Sequence, residues 1–424
     1  MNAMQDLEAG RYDAALKALY GARALHAARR RLSRLLQQYE AAFGAADEVV
    51  VVSAPGRTEL GGNHTDHNGG LALAASVDAD ILAVAARRAD DRVQMHAAGV
   101  PPVTLTLDTL APRSAEARTS AALVRGVAAY LRQQWGTIGG FNAVTDARVP
   151  VGSGLSSSAA FEVLVGAVFN HLYNDGAFGS ETLAMAGGYA ENDYFGKPSG
   201  LLDQFACATG GVIALDFASP QRPRVRQLSV DWNRTGYKLC MVDVGGDHAG
   251  LTDAYAAIPQ EMQAVARALG GERLADTSRE TLLARLPELR AACGDRAVLR
   301  ALHFFMENER VARETEALEE GDMTAFLQEM TRSGHSSFEY LQNIALPDRP
   351  AEQPMAVALH LAQLLLEDVG GWRVHGGGFG GCIQTVMPAA RIPLFVEGME
   401  AALGKGCCRE LSLRSVGSVR LTTR

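Results

Sequence analysis

Three glycine-rich segments hold the residue types that could do chemistry. In chain order they are Gly56-Arg57-Thr58-Glu59 running on through Asn63-His64-Thr65-Asp66-His67-Asn68-Gly69-Gly70, then Pro150 to Ala159, and last His375 to Cys382. The middle segment contains Gly152, Ser153, Gly154, Leu155, Ser156, Ser157 and Ser158. Glycine lets backbone N–H groups approach a ligand closely, and the start of a following helix aims unpaired N–H donors at an anion, which suits a polyphosphate. The same residues also suit a plain turn with serines capping a helix, and on this segment alone the two readings stand level. No Walker A lysine follows it, and the chain has no His-Arg-Asp catalytic loop. In the first segment, His64 and Asp66 suit a neutral polyol, whose hydroxyls need partners that both donate and accept. A zinc site built on His64, Asp66 and His67 ranks below that, because no cysteine or second histidine cluster lies nearby. An incidental polar surface loop is the other alternative. The third segment is so rich in glycine that close backbone approach to some partner is expected, since a mere connection would not require the entropy cost.

The elements that must position these loops follow from patterning. A β-branched run, Glu48 to Ser53, reads as a buried strand ending in a turn at Ala54-Pro55-Gly56. Strands are expected at 71–75, 81–86, 141–147 and 211–216, with helices at 120–131 and from Ser158 to Leu172. A polar, proline-containing break at 220–223 sets a domain boundary near residue 230. Beyond it, strands at 239–244 and 382–387 accompany helices at 254–269, 297–319, 323–340 and 354–366. Leu25, Leu32, Leu35, Leu36 and Tyr39 recur at helical spacing among arginines, which predicts a packed helix with a solvated face. Without strict βαβ alternation, the class is α+β, with mixed sheets and helices.

Composition sets the outer bounds. At 424 residues and 47% apolar, the chain suits two domains, 1–230 and 231–424, each with its own core. A formal charge of −8 argues against a phosphate-backbone-binding surface, so nucleic acid is not an expected partner. The six cysteines are scattered and read as reduced thiols. Asp6, Glu8 and Asp13 interrupt any signal-peptide core, and Asp78 with Asp80 break the apolar stretch from Gly70 to Ala86. A soluble, cytoplasmic protein with no membrane partner is expected.

Taken together and in this order, the three segments resemble the signature motifs of the GHMP kinase superfamily, and the first resembles the sugar signature of its galactokinase family. Leu123 to Tyr130, Ala190-Glu191 to Phe205, and Ser333 to Ser336 match as well, so the likeness spans about residues 48–390. It implies a two-domain GHMP kinase-like fold with the active site between the domains, and ATP-dependent, Mg2+-assisted phosphorylation of the anomeric hydroxyl of galactose. Carried over by position, Asp203 takes the place of the catalytic aspartate and Arg57 that of the arginine contacting both it and the phosphate in flight. Ser157 or Ser158 and Glu191 match the magnesium ligands. Asn63, His64, Asp66, Gly200 and Tyr255 match sugar contacts, Gly152 to Ser158 the ATP loop, and Gly377 with Gly378 the third motif.

The chain departs from the family pattern at Asn63, where an acid is usual, at Glu59, where asparagine is usual, and at Ala254, where glutamate often precedes the tyrosine. The Asn63 amide is expected to accept from the hydroxyl on C6 of the sugar. These departures bear on which sugar is used, and they leave galacturonate, N-acetylgalactosamine and L-arabinose as alternative substrates. A sugar- and ATP-binding sensor without turnover ranks lower, because the serine run at 156–158 is intact.

Overall fold

A long antiparallel pair, β1 (Val50–Gly61) and β2 (Leu71–Arg87), organises the N-terminal half. The computed structural model describes residues 3–423 apart from 47, 151–153, 198, 220–221 and 246–251. The strand expected to stop before Pro55 continues to Gly61. Register shifts between Pro55 and Arg57 and between Glu59 and Gly61 relieve the ladder where proline has no N–H to give. The two strands expected at 71–75 and 81–86 are one. Asp80, at the suspected break, is wholly buried but faces Arg31 at 2.6 Å and Arg414 at 3.4 Å, so the strand passes through it.

Further along lie β3 (Arg92–Ala97), β4 (Val103–Thr106), β5 (Phe141–Ala147), β6 (Val212–Asp216) and β7 (Arg224–Leu228). They are followed by β8 (Tyr237–Gly245), β9 (Gly371–Val374), β10 (Gly381–Pro388), β11 (Cys408–Leu411) and β12 (Val419–Arg420). Among the described residues, eight strands form one sheet, in the order β12-β1-β2-β5-β3-β4, with β6 and β7 continuing from the first half of β2. Among the described strands only β3 and β5 pair in parallel. The second sheet is antiparallel, β11-β8-β10-β9. The chain therefore returns at its C-terminal end to the first sheet, where Arg420 pairs with Val52.

The helix Ser157–Tyr173 packs across β1 and β2 with Ala160, Val163, Leu164, Ala167 and Val168 inside the main core. It is apolar on nearly every side, as a helix enclosed on all faces must be. Helices Leu25–Phe43, Ser120–Gln133 and Pro354–Leu366 lie where periodicity put them. The expected helix at 323–340 is an α-helix, Met323–Ser336, running into a π turn, Ser337–Leu341. No helix among the described residues is long and apolar enough to cross a membrane.

Candidate active site

Arg57 stands on β1 just past the proline bulge, and Asp203 in the first turn of the helix Leu202–Thr209. Arg57 Nε donates to Asp203 Oδ1 at 2.7 Å, while one terminal nitrogen donates to the carbonyl of Gly154. The hydroxyl of Ser156 donates to Asp203 Oδ2. The backbone N–H of Arg57 reaches the carbonyl of Leu155 at 3.1 Å. A side chain at Gly56 would lie 2.7 Å from that same carbonyl, which explains glycine there. The first and second segments and the carboxylate thus meet at one point. Burial works to raise the pKa of Asp203. The Arg57 charge and the bonds from Ser156 and Arg57 overcome it, and the carboxyl titrates below its usual range. It is a carboxylate at neutral pH.

Glu191 lies on a π turn, Ala190–Phe195, that follows the helix Ser180–Tyr189. Its Oε1 is 3.4 Å from Ser158 Oγ and 2.8 Å from Lys197 Nζ, and its Oε2 accepts from Ser199 Oγ and Gln204 Nε2. Gln204 also donates to buried Glu162, whose carboxyl is pushed well above its usual range by burial and then by the charge of Glu191. The pair Ser158 and Glu191, one hydroxyl beside one carboxylate, fits a hard cation. Among the described residues no group of three or more His, Cys, Asp or Glu converges on a metal position. A magnesium ion shared with phosphates and water needs only one or two protein oxygens, which this pair supplies.

The sugar-directed residues adjoin one another in pairs. A side chain at Gly200 would lie 2.4 Å from Asp66 Oδ2, so these two positions adjoin. His64 takes a left-handed backbone, φ 59°, and its Nε2 is 3.0 Å from the carbonyl of Gly377. A carbonyl only accepts, so Nε2 carries the proton. Burial and the neighbouring His67 pull the His64 pKa down to about 4, which leaves a neutral ring with Nδ1 as acceptor. Tyr255 donates its hydroxyl to the carbonyl of Gly378 at 2.9 Å, and its ring covers Gly377 so closely that a side chain there would lie 2.4 Å away. Gly378, at φ 86°, backs onto the carbonyl of Asn343, where a side chain would sit at 2.1 Å.

Asn63 does not take the expected position. It is 1% exposed, and its amide is held inside the protein. Nδ2 donates to the carbonyl of Gly376 at 2.7 Å and toward Glu59 Oε1 at 3.3 Å, while Oδ1 accepts from Asn343 at 2.9 Å and Ser337 at 3.3 Å. With both ends of the amide paired and no surface open, it offers nothing to a sugar hydroxyl. Gly152 and Ser153 lie outside the described residues. Ser157 begins its helix, and among the described residues it is Ser158 that reaches Glu191.

Residues that patterning did not single out complete the site. Lys197, Ser199 and Gln204 hold Glu191, and Arg373 holds Glu59 Oε1 at 2.7 Å. The segment from Glu191 to Phe205 contains the first three, yet only their contacts distinguish them from neighbouring polar residues. Arg373 and His375 flank the third glycine run and read from sequence as its margins.

Comparison with known proteins finds relatives over most of the chain. Residues 122–211 match the family described as GHMP kinases N terminal domain, and residues 37–87 match the galactokinase galactose-binding signature. The chain is 33% identical to a galactokinase of Streptomyces coelicolor over 86% of its own length and 91% of that protein's. To a galactokinase of Actinobacillus pleuropneumoniae it is 30% identical, over 80% of this chain and 86% of the relative. The structure of Lactococcus lactis galactokinase with galactose superposes with a TM-score of 0.79 at 26% identity, covering 92% of this chain and all of that one.

Proposed function

We infer, from the premise that this chain belongs to the galactokinase family of the GHMP kinases, that it transfers the γ-phosphoryl group of ATP to the C1 hydroxyl of α-D-galactose. The observation that carries the choice of sugar is the galactose-binding signature at 37–87, which includes Arg57, His64 and Asp66. Asp203 accepts the anomeric proton as the C1 oxygen attacks, and Arg57 faces both that carboxylate and the phosphoryl group in transfer. Neutral His64, through Nδ1, and Asp66 accept from sugar hydroxyls, and Gly200 leaves room for the ring. Tyr255 shapes the Gly377-Gly378 wall. The loop from Gly154 to Ser158 and the start of the helix Ser157–Tyr173 receive the polyphosphate. Transfer is direct and in line, with no covalent enzyme intermediate.

Ser158 and Glu191 are the residues that would hold a magnesium ion, with Ser158 preferred to Ser157. When bound, the ion would neutralise charge on the phosphates. Lys197 holds one oxygen of that carboxylate and Gln204 the other.

The test is coupled ADP release with MgATP over galactose, galacturonate, N-acetylgalactosamine and L-arabinose, with the product's phosphate position read by NMR. Galactose is expected to show the highest kcat/KM, with phosphate on C1. A higher kcat/KM for galacturonate would overturn the choice of sugar and leave the kinase chemistry standing.

A further inference from the structure

His375 precedes the third glycine run, is 4% exposed, and reaches back to β1. Its Nε2 accepts from the backbone N–H of Glu59 at 3.3 Å. It also lies 3.1 Å from Thr58 Oγ1, and that hydroxyl itself accepts from Gln384 Nε2 at 2.5 Å. Because the Glu59 N–H donates to it, Nε2 carries no proton, and the Thr58 hydroxyl can only donate to it. Two donors therefore converge on Nε2, and the ring proton must sit on Nδ1. Among the described residues that Nδ1 is buried without a hydrogen-bond partner. It faces Gly154, where a side chain would come within 2.7 Å of it and whose carbonyl Arg57 holds. Burial, then the charges of Arg57 and Arg373, keep the ring neutral. A buried donor is rarely left unmet in a finished site.

We propose that the Nδ1–H of His375 donates to the polyphosphate received by the Gly154–Ser158 loop, which makes His375 a nucleotide-binding residue tying the third segment to the first two. The proposal rests on the kinase reading above. Its chemistry is that of a neutral donor beside Arg57, adding direction without adding charge.

Asparagine reproduces a donor at the Nδ1 position, and glutamine reproduces an acceptor at the Nε2 position. His375→Gln should raise the KM for ATP roughly 5- to 10-fold, the range of one neutral hydrogen bond, with the KM for galactose unchanged. His375→Asn should hold the KM for ATP within about 3-fold while lowering the melting temperature, because the bonds to Thr58 and Glu59 are lost. A purely structural histidine would give the reverse order. In the parent protein labelled with 15N-histidine, the Nδ1-bound proton should shift when a non-hydrolysable ATP analogue with magnesium is added, and not when galactose is added alone. An unmoved resonance with the analogue bound, as measured by calorimetry, overturns the proposal. Failure of the analogue to bind overturns the kinase reading and this proposal with it.

Discussion

Removing the Ser156 hydroxyl should move the acid limb of the activity profile upward, because that hydroxyl helps keep Asp203 ionised. Burial favours the neutral acid and is opposed by Arg57, at 2.7 Å, and by Ser156. A hydrogen bond to a charged group contributes about 1.5–3 kcal/mol, and each pH unit corresponds to about 1.4 kcal/mol. Ser156→Ala should therefore shift the limb up by about 1 to 2 pH units. Ser156 sits in the left-handed region, φ 55°, ahead of the helix Ser157–Tyr173. Alanine there keeps the backbone strain and glycine relieves it, so Ser156→Gly should be the more stable variant by about 1 kcal/mol. Both variants lack the hydroxyl, so both should show the same shift, which separates protonation from stability. The assay is kcat/KM for galactose against pH at saturating MgATP, with each sample re-measured at neutral pH to exclude acid inactivation. An acid limb that stays in place in both variants refutes the argument. A rise confined to the KM for ATP would assign Ser156 to the nucleotide instead.

Asp203→Asn should lower turnover by about 10²–10⁴, with sugar and nucleotide affinities within a few-fold; turnover near the parent's would remove Asp203 as the base. Glu191→Gln and Ser158→Ala should each shift half-activation to several-fold higher magnesium, whereas Ser157→Ala should not; a metal titration of the three decides the shell. Asp80 has its carboxyl held below the usual range: burial opposes this, but Arg31, Arg414 and the hydroxyls of Ser53 and Tyr20 prevail. Its stabilising contribution is thus present above the unfolded carboxyl value and is lost as pH falls through the lower folded value, a window below about pH 4. Asp80→Asn should cost about 3–5 kcal/mol near neutrality by stranding two buried arginines, and should flatten the acid end of a melting-temperature profile; an equally steep profile would exclude Asp80 as the titrating group.

What patterning could reach was local. Phe141–Ala147 and Pro354–Leu366 have the expected ends because their periodicity and flanking breakers lie within the segment. The same reasoning stopped β1 at Pro55 and split β2 at Asp78 and Asp80. What carries β1 onward is a bulge against its partner strand, and what neutralises Asp80 comes from Arg31 and from Arg414 near the far end of the chain. The site divides in the same way. Arg57, Asp203 and Glu191 could be named beforehand because the family resemblance marks their positions. His375 could not, because its orientation depends on Thr58, Glu59, Gln384 and Gly154, brought together only by folding.

The two departures in the first segment prove to be one feature. Asn63 and Glu59 are in contact, 3.3 Å from Nδ2 to Oε1, so the pair still holds one carboxylate and one amide with their positions exchanged. The carboxylate lies on Arg373, at 2.7 Å, and burial raises its pKa while Arg373 and Arg57 oppose that rise. The amide spans Gly376, Asn343 and Ser337, which fastens the first segment to the third. Replacing an acid by Asn63 therefore moves the carboxyl group one contact away, to Glu59, where it is buried against Arg373. A uronic acid would gain nothing from an amide whose donors are already committed. The exchange consequently argues for a neutral sugar, in line with the galactose-binding signature that spans both residues.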